Sequence, residues 1–233
     1  MDYVLNAISN CTDEAEKLLV LTLNRHQNQL DIYLANPRST ECRVIVREQA
    51  ECYVTEEALK NFEVTPNGFV LMSERSGYKH LYHYDLNGTL RKQLTNGNFD
   101  VTSFYGYDTK TGITYFASNQ ESPLRKSIYK RDAKGKVTRL SSSATGTNSA
   151  IFSRNFRYYM NTWSDINTPH VTTLCDASGK TLKTLEDNAA LRQKLAGLKL
   201  GERKFFTLTT SEGIQLNGFM VLPADFNPSV KYP

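Results

Sequence analysis

The chain has 233 residues, of which 39% are hydrophobic and 22% charged, and 28 basic against 24 acidic residues give a formal charge of +4. That length permits a large buried core in one or two domains. The basic residues are scattered, and no apolar stretch reaches the roughly 18 residues of a membrane helix, so the sequence calls for neither a nucleic-acid partner nor a membrane span.

Taken in chain order, the pattern is of short strands and tight turns. Met1-Asp2-Tyr3-Val4-Leu5-Asn6 lacks the basic segment and apolar run of a secretory signal, so either the mature protein starts there or the chain is cut from something longer. Strands are predicted at 3–8, 17–24, 30–35 and 42–47. The run 18–23 (Leu-Leu-Val-Leu-Thr-Leu) reads as an inner strand buried on both sides. After an acidic stretch, 48–57, a second unit has strands at 62–64, 69–73, 81–84 and 89–94, with a turn at Pro66-Asn67-Gly68. A third has 101–107, 113–118, 127–130 and 136–140. The fourth has 149–153, 158–163, 171–174 and 181–185.

Three turns are alike: Asp85-Leu86-Asn87-Gly88, Asp132-Ala133-Lys134-Gly135 and Asp176-Ala177-Ser178-Gly179. Their aspartates lie 47 and 44 residues apart (132 − 85 and 176 − 132), and Asn36-Pro37-Arg38-Ser39-Thr40 starts 49 residues before the first (85 − 36) as a divergent fourth copy. Asp and Asn accept local backbone hydrogen bonds, and Gly supplies the positive φ of a tight hairpin. An all-β repeat of about 40 to 50 residues with four strands per unit is the pattern of propeller blades. The fold class read here is therefore all-β: a partial β-propeller of about four four-stranded blades.

Beyond Glu186 the texture changes. Residues 188–200 are rich in Ala, Leu and Lys, with Leu191, Leu195 and Leu198 at helical spacing. Asp187 or Asn188 can cap this helix and Gly201 can end it, and it reads as a connector lying against the ring. A β-hairpin follows, 204–210 and 214–222, around Ser211-Glu212-Gly213, and then a Pro-punctuated segment to Pro233. The expected division is blades over 1–187, a helical connector over 188–202, and the hairpin over 203–233 as the start of a truncated further domain.

Four cysteines, Cys11, Cys42, Cys52 and Cys175, show neither CxxC nor paired Cys/His spacing, so no zinc site is expected. Cys42 and Cys52 can meet across adjacent strands in an exported protein; the other reading is buried free thiols.

At this point residues resemble a known arrangement. Residues 73–82, Ser-Glu-Arg-Ser-Gly-Tyr-Lys-His-Leu-Tyr, look like a blade segment of the dipeptidyl peptidase IV-like members of the prolyl oligopeptidase family. Residues 185–191 resemble the segment leaving the last blade there. Residues 206–233, through Asn217-Gly218-Phe219 to Lys231-Tyr232-Pro233, resemble the hairpin that opens the peptidase domain throughout that family. The resemblance covers essentially the whole chain. It implies half of an eight-bladed propeller, with an α/β-hydrolase domain beyond Pro233, in an exported serine exopeptidase of the periplasm or cell envelope. Such an enzyme releases N-terminal Xaa-Pro or Xaa-Ala dipeptides and commonly forms a homodimer. Its partners would be peptide substrates and its own hydrolase domain, with no cofactor.

The catalytic machinery of such an enzyme is not found in these residues. No Gly-x-Ser-x-Gly occurs, and Ser211 and Ser229 sit in a hairpin turn and a Pro-flanked loop rather than on a strand-to-helix elbow. His80 and His83 are three apart on a strand and point to opposite faces, with a structural hydrogen bond expected for His80. His26 and His170 fall in turn-rich, solvated loops. Trp163 and the Tyr158-Tyr159 pair read as core or inter-blade packing. The resemblance puts the catalytic Ser, Asp and His beyond Pro233 and the family's substrate-gripping Glu pair before Met1, so the chain alone should be inactive.

Two adjacent carboxylates can hold an ammonium, so Glu56 and Glu57 are candidates for substrate binding, although a solvated acidic loop reads the same way. Tyr53, on the same loop, matches the aromatic that the family places near the pocket for the residue penultimate to the cut. The basic neighbour found in some members is not evident. The alternative reading of the whole is a free-standing β-propeller that binds a protein or glycan. A four-blade piece cannot close a ring, so its exposed sheet faces should make it self-associate.

Overall fold

The structure, a computed structural model, describes residues 3–11 as backbone and residues 17–142 and 145–232 in full. Four sheets follow one another along the chain, each an antiparallel four-stranded meander in sequence order. The first is β1 (Tyr3–Cys11), β2 (Lys17–Asn24), β3 (Gln29–Ala35) and β4 (Cys42–Gln49). A one-turn helix, α1 (Glu57–Lys60), leads to β5 (Glu63–Thr65), β6 (Gly68–Ser73), β7 (His80–Asp85) and β8 (Leu90–Gln93). The third sheet is β9 (Val101–Asp108), β10 (Ile113–Ser118), β11 (Ser127–Arg131) and β12 (Val137–Arg139). The fourth is β13 (Thr147–Phe152), β14 (Tyr158–Ser164), β15 (Val171–Asp176) and β16 (Thr181–Glu186).

The sheets fan out from a common line. The first strands of successive sheets lie beside one another, β1 by β5, β5 by β9 and β9 by β13, so the innermost strand of each sheet borders the axis. This is the partial propeller expected from the repeat, and it excludes a sandwich or a self-sufficient barrel. Strand alternation builds the seams, because successive side chains point to opposite faces. Leu19, Leu21, Leu23, Leu30 and Ile32 of the first sheet pack on Phe69, Leu71, Tyr82 and Tyr84 of the second. The intervening residues, Val70, Met72 and Leu81, face the other way onto Val101, Phe116 and Tyr129 of the third. Tyr115 and Ile128 continue the pattern against Tyr159 and Cys175 of the fourth. Every residue of β6 is buried, as a strand covered on both faces must be.

The repeated turns have one wiring. The backbone N–H of Asp85, Asp132 and Asp176 donates to the carbonyl of Thr89, Lys136 and Lys180 at 3.0 Å each, and the Gly three residues on from each aspartate donates back to its carbonyl. Gly88, Gly135 and Gly179 take φ of 85°, 99° and 94°, where a Cβ is costly. In the first sheet Asn36 plays the aspartate's part with a turn one residue longer, its N–H reaching Glu41 O, and Thr40 takes the left-handed φ of 60°.

Several expectations are corrected. β2 is not buried on both sides: Leu19, Leu21 and Leu23 are buried, whereas Leu18, Val20 and Thr22 are half-exposed, because no second sheet lies on that face among the described residues. Cys42 and Cys52 are free and exposed rather than paired or buried; Cys175 is the buried thiol, and the Cys11 side chain lies outside the described residues. Tyr159 is core, but its neighbour Tyr158 points to the opposite face and is exposed. The helix predicted over 188–200 is shorter, α2 (Ala189–Ala196), and ends at Gly197 rather than Gly201. None of its residues is buried, and it is tied to the fourth sheet at its start, where Asn188 Nδ2 donates to His170 O at 2.6 Å. The last hairpin, β17 (Arg203–Thr209) with β18 (Gln215–Val221), is likewise exposed, including Phe205 and Phe219.

Candidate functional site

The connector between β4 and β5 leaves the outer edge of the first sheet and crosses to the inner strand of the second. It is attached to the β2–β3 turn, where Ala50 N–H donates to Asn28 O (3.0 Å) and Val54 N–H to Gln27 O (2.7 Å). Between these ties the chain bulges outward, and Tyr53 is 67% exposed. Past it, α1 drops Ala58 into the first seam, which fixes the helix by its one buried residue.

Beneath the bulge lies a cleft of about 250 Å³, lined by Tyr53, Val54, Glu48, Ser73, Glu74 and Arg75 among others. Its floor is a polar lattice. Ser73 Oγ donates to Glu48 Oε2 (2.5 Å), Arg75 forms an ion pair with the same carboxylate, and Arg75 Nε donates to Ser73 Oγ (3.1 Å). The guanidinium lies over the Tyr82 ring at 4.6 Å and the Tyr84 ring at 5.4 Å, a cation–π arrangement that holds the fork flat. Burial pushes the Tyr84 hydroxyl pKa upward against the opposing pull of Arg75.

Of the three loop residues singled out from the sequence, the structure brings Tyr53 to the cleft. Glu56 is exposed and pairs with Lys60 at 3.5 Å, one turn on. Glu57 turns to Lys79, whose ammonium also lies 3.7 Å from Glu74. Each carboxylate of the pair therefore has a cation of its own. Burial lowers the Lys79 pKa, but the hydrogen bond and charge of Glu57, with Glu74 and Asp100, outweigh it and leave the ammonium above its ordinary value. Sequence reasoning missed Glu48, Ser73 and Arg75 as a unit. Glu48 read as part of an acidic stretch and Ser73 as the end of a strand, and only the packing of the first sheet against the second brings them together.

No base or nucleophile emerges from the four histidines or from Ser211 and Ser229. His80 is buried with both ring nitrogens engaged: Nε2–H donates to Gly97 O (2.9 Å), and Nδ1 accepts from Thr95 Oγ1 (3.2 Å), which itself accepts Leu81 N–H. That is the structural role expected of it. His83 points away from His80, 5.1 Å from the Tyr107 ring, and burial together with the charge of Arg91 holds its pKa below the usual imidazole value. His26 and His170 are exposed. Ser211 lies in the β17–β18 turn, where Gly213 N–H donates to Thr210 O. Among the described residues no three His, Cys, Asp or Glu side chains converge as a metal site would require, and no helix is long and apolar enough to cross a membrane.

Comparison with known proteins gives one consistent result. A family model described as the dipeptidyl peptidase IV N-terminal region matches residues 1–170. The whole chain aligns with dipeptidyl peptidase 4 of Trichophyton rubrum at 28% identity, covering 31% of that protein, and with dipeptidyl peptidase 4 of Arthroderma otae at 28%, again covering 31%. The crystal structure of Porphyromonas gingivalis dipeptidyl peptidase 4 superposes on 99% of the chain with a TM-score of 0.93 and 39% identity, over 33% of its own length. A putative dipeptidyl aminopeptidase IV from Bacteroides ovatus shares the fold, with a TM-score of 0.83 at 23% identity, and the chain covers 36% of it. The chain thus spans about a third of the length of the proteins it matches.

Proposed function

The chain belongs to the family of the dipeptidyl peptidase IV N-terminal region, and from that premise we propose that it is the propeller segment of an exported serine exopeptidase that removes Xaa-Pro or Xaa-Ala dipeptides from peptide N-termini. The observation that carries this reading is the similarity over 99% of the chain, at 39% identity, to the P. gingivalis dipeptidyl peptidase 4 structure. In the proposed enzyme the sheets form half of an eight-bladed ring over a hydrolase domain that supplies the Ser, His and Asp. The ring admits only short or unfolded peptides, and the protein works as a periplasmic or envelope homodimer.

The loop bearing Tyr53, Glu56 and Glu57 faces the peptide's path in this reading. Tyr53 offers an aromatic face near the residue penultimate to the cut, while Glu56 and Glu57, paired with Lys60 and Lys79, hold the loop that carries it. The contribution of this segment is access and positioning; the chemistry belongs to the hydrolase domain. A Gly-Pro chromogenic dipeptide given to the full-length protein tests it. Hydrolysis by the full-length protein and none by the 233-residue chain is the expected result. Failure of the full-length protein to release the chromophore would overturn the proposal. Within it, Tyr53→Ala should raise KM about tenfold, roughly 1.4 kcal/mol.

A further inference from the structure

We propose that Lys79 is a positioning residue, which with Glu57 fastens the Tyr53 loop to the ring, so that Glu57 acts through Lys79 and not on the substrate. The inference rests on the reading that this loop meets the peptide. The loop and α1 span the inner ends of three successive sheets and hold each by a different bond. Val54 N–H reaches Gln27 O of the first sheet, Glu57 reaches Lys79 of the second, and Asn61 Oδ1 accepts the Phe104 N–H of the third (3.1 Å). Asn61 Nδ2 also closes the end of α1 on Glu57 O (3.0 Å).

Lys79 suits the task because its own backbone cannot drift. Its N–H donates to Asp100 Oδ1 (2.9 Å) and its carbonyl accepts Val101 N–H (2.8 Å), which clamps it across the second seam. Asp100 in turn is held by Asn119 Oδ1, which accepts its N–H at 2.8 Å. The side chain is 25% exposed and Glu57 is 47% exposed, so the pair is worth a few-fold rather than orders of magnitude. Of the three attachments it alone is a side-chain charge pair, and so it can be removed without touching the backbone.

The test uses the full-length protein and the Gly-Pro chromogenic dipeptide. Lys79→Met should raise KM about fivefold with kcat within twofold, and Lys79→Arg should restore the wild-type KM. Glu57→Gln should raise KM to the same extent as Lys79→Met, and the double variant should be no worse than either single change. If Glu57 instead grips the peptide amine directly, Glu57→Gln raises KM far more than Lys79→Met does, and the proposal fails. Amide hydrogen exchange of the 233-residue chain gives a readout independent of activity. Residues 54–61 should exchange several-fold faster in Lys79→Met while β6 and β10 stay protected; unchanged exchange there overturns the fastening. Tyr53→Ala separates the two levels. No effect of Tyr53→Ala on KM removes the reading of the loop, and with it the substrate half of this inference. An effect of Tyr53→Ala with none of Lys79→Met removes the inference alone.

Discussion

At the scale of single residues, the turn aspartates do the most with the fewest atoms. Asp85 Oδ1 accepts the N–H of Asn87 (2.9 Å) and Thr89 (2.8 Å), Asp132 Oδ1 that of Lys136 (2.9 Å), and Asp176 Oδ1 those of Ser178 (2.8 Å) and Lys180 (3.1 Å). Hydrogen bonds donated to the ionised form favour it, and all three carboxyls sit below their ordinary pKa: from Thr89 N–H first at Asp85, from Lys136 N–H at Asp132, and from the Ser178 hydroxyl and N–H at Asp176. The stability they contribute is present above the unfolded carboxylate value near pH 4 and is lost as the pH falls through the lower folded values. Asn at all three positions keeps the acceptor but not the charge. In urea unfolding, this triple variant should lose less stability than the wild type between about pH 4 and 2. Glu63 works in the opposite sense. Burial raises its pKa against the Tyr107 N–H it accepts, so its ionised form weakens the fold at neutral pH, and that cost fades on acidification. Gly88 is the least replaceable turn residue. Its φ is positive, and a Cβ there would stand 1.9 Å from Ile45 O of the preceding sheet. Gly88→Ala should cost about 2 kcal/mol or more, read as a lower unfolding midpoint.

Between elements, the seams carry the energy and small clips set the alignment. Phe116, with no exposure, sits in the second seam against Tyr129 at 5.7 Å between ring centroids. Truncation to Ala should destabilise by about 3–5 kcal/mol in denaturant unfolding, because two clamped sheets cannot collapse into the void. The clips follow a rule: a basic side chain from one sheet donates to the Asp-x-x-Gly turn of the next. Arg43 reaches Asn87 Oδ1 (3.3 Å), Lys92 reaches Ala133 O (2.8 Å) and Lys130 reaches Ala177 O (2.7 Å). Lys130→Met should cost about 1 kcal/mol or less, since the bond replaces one to water. The rule is invisible in the sequence, where the three cations look like ordinary surface charge.

For the molecule as a whole, the consequence of the fan is that the fourth sheet presents one face to water. Ile151 pairs with Met160 across β13 and β14, both are exposed, and Tyr158 stands on the same face. On the first sheet, Leu18 and Val20 are half-exposed on the face away from the second. Apolar sheet faces left open in this way favour association. The 233-residue chain should therefore self-associate in a concentration-dependent manner in light scattering, and Ile151→Lys with Met160→Lys should shift it toward monomer. A soluble wild-type monomer at high concentration would contradict this.

The repeat, the four-strand units, the turn chemistry and most strand limits to within a residue or two were legible in the residues alone, because alternation and Asp/Gly turns are local properties of the chain. The structural hydrogen bond of His80 was legible there too, whereas its burial was not. Which sheet covers which face emerged with the packed fold, since alternation marks an apolar face without naming its cover. That is why β2 is half-open, α2 is uncovered and Cys42 is exposed. The cleft under Tyr53 belongs to the same class. Glu48, Ser73 and Arg75 meet through packing of two sheets, α1 is too short to show a helical period, and the cation held by Glu57 lies 22 residues further along the chain. Contacts of that separation are written in geometry rather than in spacing.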